Sequence, residues 1–257
     1  MEELIIAFTA LFASALTFFS GFGLGTILTP VFVFFFPIEI AIALTGVVHL
    51  SNNVFKLLLI GKNINFSVFL KFGIPALIGS FIGALMLLEL GESSLEFDYQ
   101  LFGVEMHFTL LKFIIAVVLF IFSILELLPF FDKLQFSTKA LIPGGILSGF
   151  FGGLSGHQGA LRTAFLIKLN LSKEAFIATG VSIACVVDFI RIPVYFSSFN
   201  ISLLHDQMSI LIIATLSAFA GAIIGRKVLI KATYGIIKVG VGVFIMLVAV
   251  ALGIGLI

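Results

Sequence analysis

Apolar residues in this chain form long blocks, separated by short clusters of glycine, proline and charged residues. A helix needs about 20 mostly apolar residues to cross a bilayer. The predicted segments of the first half are Leu4–Ser20, Thr26–Phe36, Ile38–Ile60, Phe66–Leu88 and Phe108–Leu128. Those of the second half are Ala140–Gly153, Ala160–Leu169, Lys173–Ser197, Gln207–Ile230 and Tyr234–Ile257. The pattern predicts ten helical segments within a membrane.

The second segment of each half is too short to span, because ten or eleven residues at about 1.5 Å each cover roughly half the hydrocarbon thickness. Each short segment follows a glycine-rich break. The break glycines are Gly21, Gly23 and Gly25 in the first half and Gly156 and Gly159 in the second. Irregular backbone at membrane depth is tolerated only where it lines a cavity or is buried in protein. The two breaks are therefore the first candidates for a functional site.

The two halves also match in sequence. A shift of 134 positions aligns Gly25 with Gly159 and Thr45–Val47 with Thr179–Val181. One offset that holds over some thirty residues favours duplication over chance. We therefore divide the chain into transmembrane repeats 1–130 and 131–257.

Loop charges predict the direction of each half, since short cytoplasmic loops are enriched in lysine and arginine. Lys56 and Lys62 place the loop after the third segment inside, whereas the loop 89–105 contains only acidic charges. In the second half the loop after the third segment contains Asp206 and no lysine or arginine, which places it outside. The halves are therefore predicted to be inverted, with both termini outside the cell.

Composition agrees with this class of protein. Of the 257 residues, 61% are apolar and 11% charged, against about 25% charged in soluble domains. The net charge of +1 gives no basic field for nucleic acid. The lone Cys185 excludes an internal disulfide, and the sequence shows no metal-ligand spacing and predicts no cofactor. The expected fold is an all-α membrane protein of two inverted repeats.

The second break and its surroundings resemble a known family. The run Gly149–Arg162, which reads GFFGGLSGHQGALR, and the stretch Ala178–Gly180 are similar to the TauE/SafE group of sulfite exporters. The resemblance implies a multi-pass transporter of the bacterial cytoplasmic membrane for sulfite or organosulfonate-like anions. Inverted repeats with broken helices are also typical of secondary transporters that bind substrate near the midplane.

Arg162 is the first candidate for binding an anion. It lies in the first turn of the second short segment, where unpaired backbone N–H groups and the helix dipole favour negative charge. Pairing with Asp188, or a position at the inner interface, is the alternative role. The remaining substrate-binding candidates are His157, Gln158, Asn52, Asn53, Thr26 and Thr163. For the polar residues of the third segment, hydrogen bonding between helices is the alternative.

Four further residues are candidates for ion coupling or gating. Asp188 and Arg191 are three apart on one helix and can pair. In that pair Asp188 would carry a coupling ion and Arg191, near the outer end of its helix, would attract anions; a structural ion pair is the alternative. Histidine side chains ordinarily titrate near neutral pH, so His49 could carry a proton. Lys56 lies one residue from Arg191 in the repeat alignment.

Two other functions fit parts of the pattern. A passive anion channel would share the breaks and the basic residues. The stretch Gly153–Gly156 also matches a GxSG nucleophile pattern, so Ser155 defines a second alternative, an intramembrane serine protease. The expected partners are a small anionic substrate, the lipid bilayer and a second copy of the chain. Close-packing glycines that would join repeats or protomers are Gly79, Gly83, Gly221 and Gly225.

Overall fold

The computed structural model describes residues 1–20, 23–128, 136–167, 169–198, 207–228 and 234–257. Over these residues the helices are α1 (Glu2–Ser20), α2 (Gly25–Phe32), α3 (Ile38–Ile60), α4 (Phe66–Gly91), α5 (Leu110–Leu127), α6 (Leu141–Ser155), α7 (Gly159–Leu166), α8 (Lys173–Ser198), α9 (Met208–Val228) and α10 (Tyr234–Gly253). A π-helical stretch, Phe69–Gly73, interrupts α4 near its start. Two short 3-10 turns, Gly61–Asn63 and Thr138–Ala140, precede α4 and α6. Each predicted segment therefore corresponds to one helix.

Several helices are suited to a membrane. Within the described residues, five stretches are long and apolar enough to cross a bilayer: Ile38–Asn63, Phe66–Gly91, Leu110–Leu127, Lys173–Ser198 and Met208–Lys227. Large apolar side chains remain open on their outer faces, as at Leu58, which is 80% exposed, and Phe189, which is 70% exposed. A surface this apolar is stable in contact with lipid rather than water. The all-α membrane class is confirmed, with one exception.

The exception is a β-hairpin between α4 and α5. Strands β1 (Glu96–Leu101) and β2 (Val104–Thr109) pair antiparallel around a two-residue turn, Phe102–Gly103. The sequence predicted a loop here because of the acidic residues. Polar and apolar residues nevertheless alternate along this stretch, as is typical of strands. Helix α5 consequently begins at Leu110, where Thr109 Oγ1 caps it by accepting the backbone N–H of Lys112, rather than at Phe108.

Glycines bring α4 against α6 and α1 against α9. A Cβ at Gly83 would overlap the carbonyl oxygen of Phe150, and one at Gly149 would overlap that of Ala76. Residue numbers rise together along this contact, so α4 and α6 run parallel. Gly221 and Gly225 contact the backbone of α1 in the same way, also in parallel. The four predicted close-packing glycines therefore join helices of the two halves.

The third and fifth helices of each half pack on their counterparts. Gly46 of α3 lies against Arg191 of α8, and His49 contacts Asp188, so residue numbers fall along one helix as they rise along the other. Helices α3 and α8 are therefore antiparallel. The contacts of α5 with α10 follow the same antiparallel order.

Both short helices, α2 and α7, have eight residues and reach about 12 Å. Helix α2 ends at Phe32, four residues earlier than predicted. Residues 33–35 form turns, and Pro37 disfavours helical backbone at Phe36. Helix α6 ends at Ser155 because the next residue, Gly156, has a φ of 81°, which glycine adopts readily. A Cβ at Gly25 would lie 3.6 Å from the carbonyl oxygen of Gly156. The two breaks therefore meet in the interior.

Candidate functional site

Nearly all the predicted polar residues lie together where the breaks meet α3 and α8. We call this set the central polar cluster. Its members are His49, Asn52, Asn53, Lys56, His157, Gln158, Arg162, Asp188 and Arg191, and each is at most 6% exposed. Polar side chains are buried in this number only where they bond to one another or serve a ligand.

Asp188 is the hub of the cluster. Its Oδ2 lies 2.6 Å from His49 Nδ1, and its Oδ1 accepts a hydrogen bond of 2.8 Å from Arg191 Nε. All three side chains are almost fully buried. The predicted pairing of Asp188 with Arg191 is therefore present, and His49, 139 residues away along the chain, completes it.

Arg191 presents the rest of its guanidinium to the junction of the breaks. A Cβ placed on Gly156 would lie 3.1 Å from Nη1 of Arg191. A Cβ placed on Gly46 would lie 3.4 Å from both Cζ and Nη2. Within the described part of the chain, neither Nη nitrogen makes a hydrogen bond of good geometry. Tyr195 packs beside it, with Cζ 5.8 Å from the ring centroid, and donates its hydroxyl to the carbonyl of Gly153. The sequence placed Arg191 near an outer end, whereas the structure buries it completely.

Arg162 forms a second cationic centre. It lies in the first turn of α7, where its Nε is 3.4 Å from the position of a Cβ on Gly180 of α8. Lys56 is close enough to Arg162 for electrostatic repulsion. Arg162 is attracted by Asp188 but makes no ion pair with it within 4 Å, so the alternative of direct pairing is not observed among the described residues. Its Nη1 likewise has no partner there.

Gly46 and Gly180 occupy matching positions in the two repeats, and each makes room for a guanidinium. Gly180 and Arg191 are eleven residues apart on α8, a rise of about 16 Å. Asp188 lies between them. The repeated Thr-Gly-Val in the sequence marks both glycines as matching positions, but nothing in the sequence shows that an arginine packs against each of them.

Asn52 and Asn53 extend the cluster to α1. Ser14 Oγ donates to Asn52 Oδ1 at 3.0 Å, whereas Asn52 Nδ2 has no partner within the described residues. The Asn53 amide nitrogen lies 3.2 Å from both ring nitrogens of His49. Asn52 therefore makes a hydrogen bond between helices through its Oδ1 atom, which is the alternative role, whereas its Nδ2 atom does not. Sequence reasoning missed Ser14, because a single serine in an apolar helix is usually a packing residue.

The second break also supplies side chains. His157 Nδ1 lies 2.9 Å from the carbonyl oxygen of Ser155. The backbone carbonyl of Gln158 accepts a hydrogen bond from Ser148, but its buried side-chain amide has no partner among the described residues at either Oε1 or Nε2. Ser155 Oγ donates to the carbonyl of Phe151 within its own helix. No described histidine hydrogen-bonds that hydroxyl, as a serine nucleophile would require.

The first break contributes mainly backbone. A Cβ at Gly23 would lie 3.4 Å from His49 Nε2, and Thr26, the second residue of α2, is buried. Thr163 is half-buried on α7, and Gly159 is the first residue of that helix. Gly21 lies outside the described residues. In the part of the chain that the structure describes, no group of three His, Cys, Asp or Glu residues could hold a metal.

The model of the sulfite exporter TauE/SafE family matches residues 6–252, nearly the whole chain. The protein belongs to the sulfite exporter TauE/SafE family, which confirms the resemblance of its second break. No curated protein and no solved structure matches the chain. The family is one of membrane transporters, and the apolar helices fit that class.

Proposed function

We propose that this protein is a secondary transporter that moves a small oxyanion, such as sulfite or an organosulfonate, across the cytoplasmic membrane by alternating access. One observation carries the proposal: the buried Arg191 directs its two Nη groups, which make no hydrogen bond of good geometry, to the junction of the two breaks. A guanidinium offers a planar fork of donors that matches two oxygens of a sulfonate or carboxylate. The unpaired amide of Gln158 is a further polar group for the same anion.

The charges of the cluster favour an anion. Arg162 and Arg191 contribute two positive charges and Asp188 contributes one negative charge, leaving +1 when both histidines are neutral, and a protonated Lys56 adds one more. Buried charge that lacks a counterion is costly at membrane depth, by about 2.5–3.5 kcal/mol per group on insertion scales. A bound oxyanion lowers that cost, and the cluster therefore selects negative cargo.

His49 is the residue we assign to coupling. Its imidazole contacts Asp188, and charge also acts on it from Arg191 on α8 and Arg162 on α7. A protonated His49 neutralises Asp188, which weakens the hold of that carboxylate on Arg191 and leaves the guanidinium free for substrate. A neutral His49 leaves Asp188 as the internal counterion of Arg191. Proton and anion would therefore move together.

The helix pairing supports the inverted repeats that alternating access uses. The first helix of each half runs parallel to the fourth of the other, and the third and fifth helices meet their counterparts antiparallel. A two-fold axis in the membrane plane relates two halves in this way. In this proposal the cluster is close to that axis, where rocking of the halves would open it to either side. Loop cations support the orientation with both termini outside.

Flux measurements test the proposal. Purified protein in proteoliposomes should accumulate radiolabelled sulfite in response to a proton gradient, and Arg191→Gln should abolish the uptake. Arg226→Gln, at an exposed position near the end of α9, is the control and should transport normally. Uptake by Arg191→Gln at the wild-type rate would overturn the anion site. Unitary currents in planar bilayers that ignore the proton gradient would identify a passive channel instead.

A further inference from the structure

The β-hairpin between α4 and α5 has one apolar and one polar face. Its cross-strand partners on one face are Phe97 with Phe108, Tyr99 with Met106, and Leu101 with Val104. The opposite face bears Glu96, Asp98, Gln100, Glu105, His107 and Thr109. Asp98 and His107 pair there, with 2.6 Å between Oδ1 and Nδ1. A hairpin surrounded by water on both sides has no need for such a strict division.

The apolar face continues the lipid-facing surface of α5. The ring of Phe97 stacks on that of Phe108 with centroids 4.7 Å apart, and Phe108 contacts Phe113 of α5 at 5.7 Å. Phe113 is 45% exposed on a helix suited to span the membrane. One aromatic row therefore leads from the spanning helix onto the hairpin.

Two hydrogen bonds fix how the hairpin sits. The hydroxyl of Tyr99 donates to the carbonyl of Ile254 at 2.7 Å, and the backbone N–H of His107 donates to that of Gly255 at 2.8 Å. Both acceptors follow directly after α10. Met106 is consequently buried, whereas Phe97 and Val104 on the same face stay about half exposed. Phe97 and Val104 are therefore exposed even though the hairpin is held against the end of α10.

Phe102 at the tip is almost fully exposed, at 97%. Its φ is 52° and that of Gly103 is 80°, so the pair forms a turn with two positive φ angles. Asparagine or glycine is preferred at the first of these positions, and a bulky residue there is strained. Strain that a structure retains is a reason to look for a function of the side chain.

We infer that the hairpin is an interfacial membrane anchor, with Phe102 and the open half of its apolar face inserted at the headgroup and acyl-chain boundary of the leaflet next to α5. Phenylalanine is typical of the apolar face of amphipathic elements that lie in the plane of the interface with their polar face toward water. Glu96, Asp98 and Glu105 outnumber the one histidine of the polar face, so the preferred lipids are zwitterionic.

The chain contains no tryptophan, which makes a direct test available. Phe102→Trp introduces a single fluorophore at a position whose side chain touches little else, so folding should be preserved. In phosphatidylcholine nanodiscs its emission should be blue-shifted, and replacing the lipid with brominated phosphatidylcholine should quench it. Gln100→Trp, on the polar face, is the matched control and should show water-like emission without quenching.

Two outcomes would overturn the anchor. Water-like, unquenched emission from Phe102→Trp would leave the tip in solvent. Blue-shifted emission that brominated lipid does not quench would place the tip against protein, and a second copy of the chain would be the occupant. Either result leaves the transport proposal untouched, because the hairpin shares no residue with the central polar cluster.

Discussion

His49 of α3 and Asp188 of α8 lie 2.6 Å apart, Nδ1 to Oδ2, in a buried contact that joins the two halves of the molecule. The same carboxylate accepts a hydrogen bond from Arg191. The carboxylate of Asp188 therefore lies between His49, which can bind a proton, and Arg191, the guanidinium proposed to bind substrate. It occupies part of that guanidinium as a substrate anion would. This relationship links proton binding to anion binding through one carboxylate.

Replacing Asp188 by asparagine should strengthen sulfite binding, because it removes the anion that competes for Arg191. A charge-assisted hydrogen bond is worth about 1.5–3 kcal/mol, so we expect the dissociation constant to fall roughly tenfold. Uptake should at the same time lose its dependence on the proton gradient. Thermal-shift titration with sulfite gives the binding constant, and proteoliposome flux gives the coupling.

The exposed Asp98→Asn is the matched control for that variant and should leave both quantities unchanged. Size-exclusion chromatography would verify that Asp188→Asn remains folded. An unchanged or weaker affinity in the folded variant would show that Asp188 does not compete with substrate.

Arg191→Lys should retain the positive charge but lose the planar fork. A lysine ammonium binds as a point charge, so the half-saturating sulfite concentration should rise about tenfold or more, since one charge-assisted hydrogen bond is lost. Maximal flux should fall less, because the counterion of Asp188 is preserved. Concentration-dependent uptake in proteoliposomes measures both. A half-saturating sulfite concentration equal to that of the wild type would show that Arg191 does not bind the substrate through two nitrogens.

His49→Gln should flatten the pH dependence of uptake. Histidine is the side chain that ordinarily changes charge between about pH 5 and 8, and glutamine can still hydrogen-bond to Asp188 without carrying a proton. Flux measured at a series of internal pH values, without a gradient, gives the profile. His107→Gln on the hairpin should behave as wild type. Retention of the full wild-type profile by His49→Gln would assign proton coupling elsewhere.

Gly83→Ala should destabilise the protein, because the added Cβ would overlap the carbonyl oxygen of Phe150 and force α4 from α6. Overpacking of this kind costs about 1–3 kcal/mol, so the apparent Tm should fall by several degrees. Gly240→Ala, where a Cβ would meet nothing within 4 Å, is the control. A thiol-reactive dye would report unfolding through Cys185, the free cysteine of the chain. Equal melting temperatures for the two variants would show that the contact is not close-packed.

Local rules allowed much of the fold to be predicted. A spanning helix has a fixed length and must be apolar, so the ten segments, the two short helices after glycine breaks and the membrane class follow from the order of residues. Pairing of Asp188 with Arg191 also followed, since residues three apart share a helix face. The hairpin was missed because its acidic residues concealed a strand alternation of six residues on each side.

Contacts across the chain were decided only by the tertiary structure. The sequence determined that Arg191 is a cation on a helix, but its complete burial, its open Nη groups and its neighbour Gly46 depend on how α3 crosses α8. His49 and Asp188 are 139 residues apart, and no local periodicity relates them. Hydropathy and spacing act along the chain and fix each helix, whereas close contact between glycine-lined helices selects which side chains meet.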